Sequence, residues 1–414
     1  MIDVLASRKS DPVSFTPPMH RTYVQMVLHD TICRTSSKVG MAWLIVVACC
    51  AIFAPLLATS HPLVMRTVEG GLDFPVLKYL TPADVTLLVI TPVTLMLLIL
   101  VRVSLRNRIA VFLLAIVTTA TASFLLIKPP SLVILDQYRE MEKTGQVEWI
   151  IHAPIRFSPA DRLRDQRDKR SCPPDREHLL GTDINSADVA SGMIHASRIA
   201  LAVGLIATSI ALVIGITIGG LMGYFGGWVD LLGFRLVEIF SAIPVLYLLL
   251  TFAAFFPGNP QLLPGFEVPR IYLMMMIIGV TGWVGYARFV RAEFFKLRKL
   301  DFVQAARACG LPLRSILFKH MLPNGVAPVL VEASFGVAAA ILYEAFLSFL
   351  GIGLVDEPSW GQLLSQAIGA GGGFYWWIAT FPGLAIFLTI FALNLVGEAT
   401  RDAIDPHTKK AVAL

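Results

Sequence analysis

Long apolar runs, separated by short polar and basic stretches, predict membrane-crossing helices rather than the core of a soluble domain. Eight runs stand out: Val39–Thr59, Val85–Val101, Ile109–Ile127, Ile199–Met222, Leu236–Phe256, Ile271–Tyr286, Gly325–Leu350 and Trp377–Val396. The second is the shortest and contains Pro92, which a membrane helix tolerates where neighbours satisfy the freed backbone. A polar stretch, Met1–Lys38, precedes the first run. Cleaved signal peptides carry a shorter apolar core nearer the start, so this run reads as an uncleaved span. In the fourth run Gly215, Gly219 and Gly223 recur at every fourth position, with Gly220 beside them. In lipid, such a stripe predicts close backbone approach of a neighbouring helix and names no function. The predicted fold is an all-α multi-pass bundle of about eight transmembrane helices.

Composition agrees. Of 414 residues 56% are hydrophobic and only 15% charged, and the mean hydropathy is +0.69. The net charge of +5 is modest, and its cations flank the apolar runs, a distribution that follows the positive-inside rule and excludes a nucleic-acid stripe. Arg8, Lys9, Arg21, Arg34 and Lys38 place the N-terminus inside, and Arg102, Arg106 and Arg108 do the same for the next link. The loop Ala287–His320 carries eight more cations, whereas the opposite short loops offer only Arg66, Lys78 and Arg270. Both termini are therefore expected in the cytoplasm. The basic stretch in Pro129–Arg198 lies outside, because long loops translocate regardless of charge. The expected divisions are a cytoplasmic segment 1–38, a first helix plus hairpin 39–128, a periplasmic loop 129–198, a core 199–400 and a tail 401–414. Cys49 and Cys50 lie in the first run, Cys33 and Cys309 inside, and Cys172 alone outside, which leaves no disulfide and no zinc or redox pair.

Within the loop 287–324, the segment Lys299–Asn324 reads as two short helices about a sharp break. Asp301 and Gln304 have capping-box spacing. Phe302, Ala305, Ala306 and Cys309 share one face at helical spacing. Gly310 supplies a left-handed C-cap, Pro312 blocks continuation, and a second helix, Leu313–His320, ends before Leu322-Pro323. A helix this short is marginal alone. It packs either on its own helix ends or on a partner, and spacing does not separate the two.

The same segment resembles the EAA loop of ABC importer permeases, matching at Ala305, Ala306, Gly310, Ile316, Leu322 and Pro323, with Gln304 in place of the family's glutamate. Further matches are Gly181–Asp183, Gly223–Asp230, Ile243-Pro244, Gly282–Glu293, Leu347–Leu354, Pro358–Gly361 and Arg401–Pro406. Over about Gly181–Pro406 the chain resembles the second permease of dipeptide, oligopeptide and nickel importers. The Arg235–Pro244 stretch and Gly397-Glu398 look most like oligopeptide permeases. The resemblance implies that the last five helices form a type I ABC importer permease core and that 287–324 couples to the ATPase. It also implies a second related permease, two ATPase subunits or one fused chain, a periplasmic or lipid-anchored binding protein, and peptide as solute. No cofactor is implied, since partner subunits use the ATP. The family's Gly-Arg-Asp after Gly-Thr-Asp is replaced here by Asn185-Ser186-Ala187-Asp188, and Val85–Ile127 looks like an inserted hairpin.

Glu238, Glu332 and Glu344 lie in or near apolar spans. A carboxylate at membrane depth faces a cavity or a partner. Each is either a lining of the translocation path or, the commoner case, a helix-end or inter-subunit hydrogen bond, and Glu344 is the leading path candidate. His320 is read as capping the last carbonyls of its helix, and Trp376 and Trp377 as an outer interfacial belt. The sequence contains no phosphate loop, no zinc-protease motif and no nucleophile elbow, so ATP hydrolysis is expected in another chain. The rival readings are a membrane enzyme, which needs a clustered catalytic set, and a proton-coupled carrier using the glutamates.

Overall fold

The computed structural model describes residues 23–68, 70–100, 104–128, 130, 135–163, 169–255, 261–263, 266–267, 269–353, 357–369 and 372–404. Its elements run α1 (Tyr23–Cys33), α2 (Thr35–Leu57), β1 (Val64–Thr67), β2 (Leu72–Asp73), α3 (Pro75–Lys78), α4 (Pro82–Ile99), α5 (Leu105–Leu126), α6 (Gln137–Lys143) and β3 (Val147–Ile151). Then follow α7 (Val189–Phe225), α8 (Gly227–Ala242), α9 (Val245–Phe255), β4 (Gln261–Leu263), β5 (Phe266–Glu267), α10 (Arg270–Leu297) and α11 (Asp301–Ala308). The last are α12 (Leu313–Ser315), α13 (Leu322–Phe349), α14 (Trp360–Ser365) and α15 (Trp376–Ile404).

Among the described residues seven helices are long and apolar enough to cross a membrane, namely α2, α4, α5, α7, α10, α13 and α15. The expected span Leu236–Phe256 is not one helix. It is the end of α8 and then α9, bent by 67°. Pro244 disfavours helical backbone in the residue before it, and Ile243 is accordingly extended at φ −92°, ψ 114°. If the bent pair is one span, the total is the expected eight. Several helices outrun their apolar stretches: α7 starts at Val189 and α10 continues to Leu297. Hydropathy marks the depth of hydrocarbon, not the end of the helix.

The bundle is built on α7 and α10. A Cβ on Gly215 would lie 2.5 Å from Tyr286 Cβ, one on Gly223 2.5 Å from Phe294 Cβ, and one on Gly219 would meet the Ala287 carbonyl. The glycine stripe is thus the seam of this pair, as its spacing predicts. On the other side of α7, Ala196 and Ala200 pack with Val47 of α2, Val337 and Ile341 of α13, and Ala385 of α15.

Residues 82–126 form a helical hairpin whose two members are mostly exposed. Its tie to the bundle is polar. Arg198 of α7 pairs with Asp84 of α4, and its Nε donates to Ala51 O of α2 at 2.5 Å. Pro55 has no N–H to offer that carbonyl four residues back, so Arg198 satisfies an acceptor that the proline orphans. Asp84 also closes a capping box with Thr81 at the start of α4.

A small lobe with short strands adds to the helical bundle. Strands β2, β1 and β3 pair antiparallel in that order, so the expected loop 129–198 joins residues after α2 instead of standing alone. Strands of two to five residues are too short to show a period in sequence. Asp161 is the lobe's hub, taking the Ser60 hydroxyl at 2.6 Å and the Arg139 guanidinium at 2.5 Å. The lobe abuts the first turn of α7, where Asp188 accepts from Ser191 N at 2.8 Å and lies 2.9 Å from His178 Nδ1. Trp377, expected in an interfacial belt, is buried instead. Its indole donates to Thr182 O at 3.1 Å, while Trp376 stays exposed.

Candidate functional site

At the end of α7 opposite the lobe, the chain leaves α10 and turns through α11. Leu300, not Asp301, is the N-cap, and no side chain caps it. The expected capping box is absent because Asp301 already has helical backbone. Gln304 instead reaches back to donate to Arg298 O at 2.8 Å. The C-terminal expectation holds. Gly310 has φ +66°, Gly310 N donates to Arg307 O at 2.9 Å, and Leu311 N to Ala306 O at 3.2 Å. Together these bonds make a Schellman motif.

The helix does not present both alanines outward. Val303 and Ala306 are buried in one cluster with Tyr286, Phe294, Ile316 and Met321, while Phe302, Ala305 and Cys309 are exposed. Arg307 stacks 4.5 Å over the Tyr224 ring, fastening the helix to the end of α7. What remains exposed on this loop includes the apolar Leu300, Phe302, Leu311, Leu313 and Phe318 and the small Ala305.

The second loop helix does not stop before Leu322-Pro323. From α12 the chain passes through a π-helical stretch, Ile316–Met321, straight into α13. Pro323 lacks an N–H and its ring crowds the carbonyl four residues back. A wider turn carries the chain past that obstacle, and Asn324 Nδ2 donates to His320 O at 2.6 Å. It is thus an asparagine side chain that serves a carbonyl here. Ile316 is buried and Leu322 half-buried against the same cluster, whereas Pro323 is exposed.

The three glutamates part company. Glu344 is 1% exposed, accepts from the Ser348 hydroxyl at 2.7 Å and is bonded to Ser359. Ser359 caps α14 through Gln362 N, so Glu344 fastens the turn after α13. Glu238 lies exposed on α8, paired with Arg235 at 2.7 Å. Glu332 lines a cavity of about 320 Å³ between α7, α9, α10 and α13. Its walls include Thr208, Gly282, Tyr286, Gly336, Ala340 and Tyr343. A sequence reading that weighs each glutamate alone cannot rank them, because the partners of Glu344 include Ser359, fifteen residues away across a turn. Arg198 and Asp84 were also missed, although a proline inside a span and an arginine at the head of another were visible signs.

The sequence model of the family described as "Binding-protein-dependent transport system inner membrane component" matches residues 215–410. The chain is 36% identical over 270 residues to the inner membrane ABC transporter permease protein YejE of Escherichia coli, covering 65% of this chain and 74% of that one. It is 38% identical over 234 residues to the oligopeptide transport system permease protein OppC of Haemophilus influenzae, covering 56% and 71%. To the dipeptide transport system permease protein DppC of Bacillus subtilis it is 32% identical over 255 residues, covering 61% and 76%.

Proposed function

The chain belongs to the binding-protein-dependent transport system inner membrane component family, and from that premise we propose that it forms half of a peptide-importing channel driven by ATPase subunits docked on residues 300–320. It is the permease component of an ABC importer. Relatives named for oligopeptide and dipeptide transport support peptide as the solute. A second permease completes the path, and a binding protein delivers the solute at the lobe end. The positive-inside rule puts the Lys- and Arg-rich loop end in the cytoplasm.

One observation carries the coupling role. The loop's inner face is packed into its own bundle, while Leu300, Phe302, Leu311, Leu313, Phe318 and the small Ala305 stay exposed. Exposed apolar clusters of this kind at a cytoplasmic tip need a protein partner. A closing ATPase pair then moves α11 together with α7 and α10, and the bundle exchanges two states that ATP biases differently. Ala305 and Ala306 separate docking from folding. Ala305→Arg should insert and express normally yet lose ATPase co-purification and solute-stimulated hydrolysis. Ala306→Arg should fail earlier, as poor expression, because its side chain enters the buried cluster. ATPase pull-down from detergent extracts decides, and wild-type recovery with Ala305→Arg removes the docking role.

A further inference from the structure

Glu332 lies about 6 Å along α13 from Pro328, where the apolar span Pro328–Phe349 begins, at the helical rise, so it sits inside the loop end of the span. A carboxylate at that depth does not face hydrocarbon; it faces water, a solute or a partner. No cation among the described residues pairs with it, since Arg291 is held by Asp230, Arg235 by Glu238, and Arg288 donates to Ser241. The Tyr286 phenol is within its electrostatic reach, and its side chain is on the wall of the bundle's cavity.

The surroundings have a direction. Glu332, Gly336, Ala339, Ala340 and Tyr343 recur on one stripe of α13 and all line the same cavity. The stripe is a trough with a carboxylate at its loop end and a phenol at its lobe end, and the Tyr286 hydroxyl lies over Gly336 between them. Its length is about 16 Å at 1.5 Å per residue. The single fixed charge addresses the one group that every unblocked peptide shares.

We propose that this trough is a peptide subsite in which Glu332 is the counter-charge for the protonated terminal amine, so that the path favours cationic over anionic ends. This rests on the peptide-permease reading, and the test separates the two. In the assembled complex, the five native cysteines are replaced by serine and Ala339→Cys is introduced. The thiol is then challenged with a cationic and an anionic methanethiosulfonate. The cationic reagent should react faster, after correction for free-thiol rates. That preference should fall roughly tenfold in Glu332→Gln, the equivalent of one charge-assisted hydrogen bond, and persist in Glu332→Asp. In parallel, proteoliposome uptake of trialanine should drop by a similar factor in Glu332→Gln, with N-acetyl-trialanine unchanged. An inert thiol at 339, or a preference indifferent to Glu332→Gln, overturns the subsite. Equal loss of both peptides overturns amine recognition. A wild type that carries neither peptide, yet keeps the reagent preference, overturns the peptide reading and upholds a cation-selective trough.

Discussion

His61 follows the first span and lies flat on Tyr79, with ring centroids 3.8 Å apart, and edge-on to Tyr138. Burial lowers its pKa to about 4, and the field of Asp161 only partly opposes this. Burial and the nearby Arg156 lower His152 in the same lobe. Both imidazoles thus resist protonation more when folded than unfolded. The lobe's stability should be full above about pH 6.5, the ordinary imidazole value, and should decline as pH falls from there toward 4. Asp183, which burial raises, works in the opposite sense. Hydrogen exchange of lobe amides between pH 7.5 and 4.5 should show this decline, and His61→Phe should flatten it; a wild-type profile independent of pH contradicts it. None of this was legible from the sequence, because His61 looks like any polar residue after a span. Gly310 was legible, since a left-handed turn before a proline has few alternatives. Gln304 was legible only in part: it does bond backward, but to Arg298 O rather than to a cap.

Spans were legible as elements because hydropathy is a property of a run of residues. Their ends, and the bend at Pro244, were not. The inserted hairpin shows the difference between recognising an element and knowing how it is held. α4 and α5 are largely exposed, and their polar link to the core runs through Arg198, which also serves the Ala51 carbonyl beside the Pro55 break. Removing one member of a buried ion pair typically costs about 3–5 kcal/mol. Arg198→Leu should therefore lower the melting temperature of the purified complex markedly. By contrast, replacing residues 82–126 with a short linker removes Asp84 together with the hairpin, and the Arg198 guanidinium left behind keeps its bond to the Ala51 carbonyl. That deletion should retain ATPase co-purification. Loss of folding in the deletion, with a normal Arg198→Leu, would reverse this assignment and make the hairpin part of the core.

At the scale of the molecule, the lobe and the coupling loop occupy opposite ends of α7, with Asp188 at one end and Tyr224 at the other. The exposed Cys309 and the half-buried Cys172 mark those ends. An impermeant maleimide should modify Cys172 in intact spheroplasts and reach Cys309 only after permeabilisation; the reverse order would invert the topology. That the chain is a permease was legible because many ordered motifs must agree at once. Which glutamate faces the path was not, because that depends on how helices far apart in sequence are rotated against each other. One cluster reaches from the loop to the cavity: Val303 and Ala306 share it with Tyr286, which also walls the trough. A stiff rod has no slack, so a push at its foot arrives at its head in the same instant and with the same stroke. The break in regular α-helix is the widened turn at Ile316–Met321, where α13 and its carboxylate join that cluster. If the trough changes width during the cycle, its two walls part like scissor blades, and the rivet is that turn.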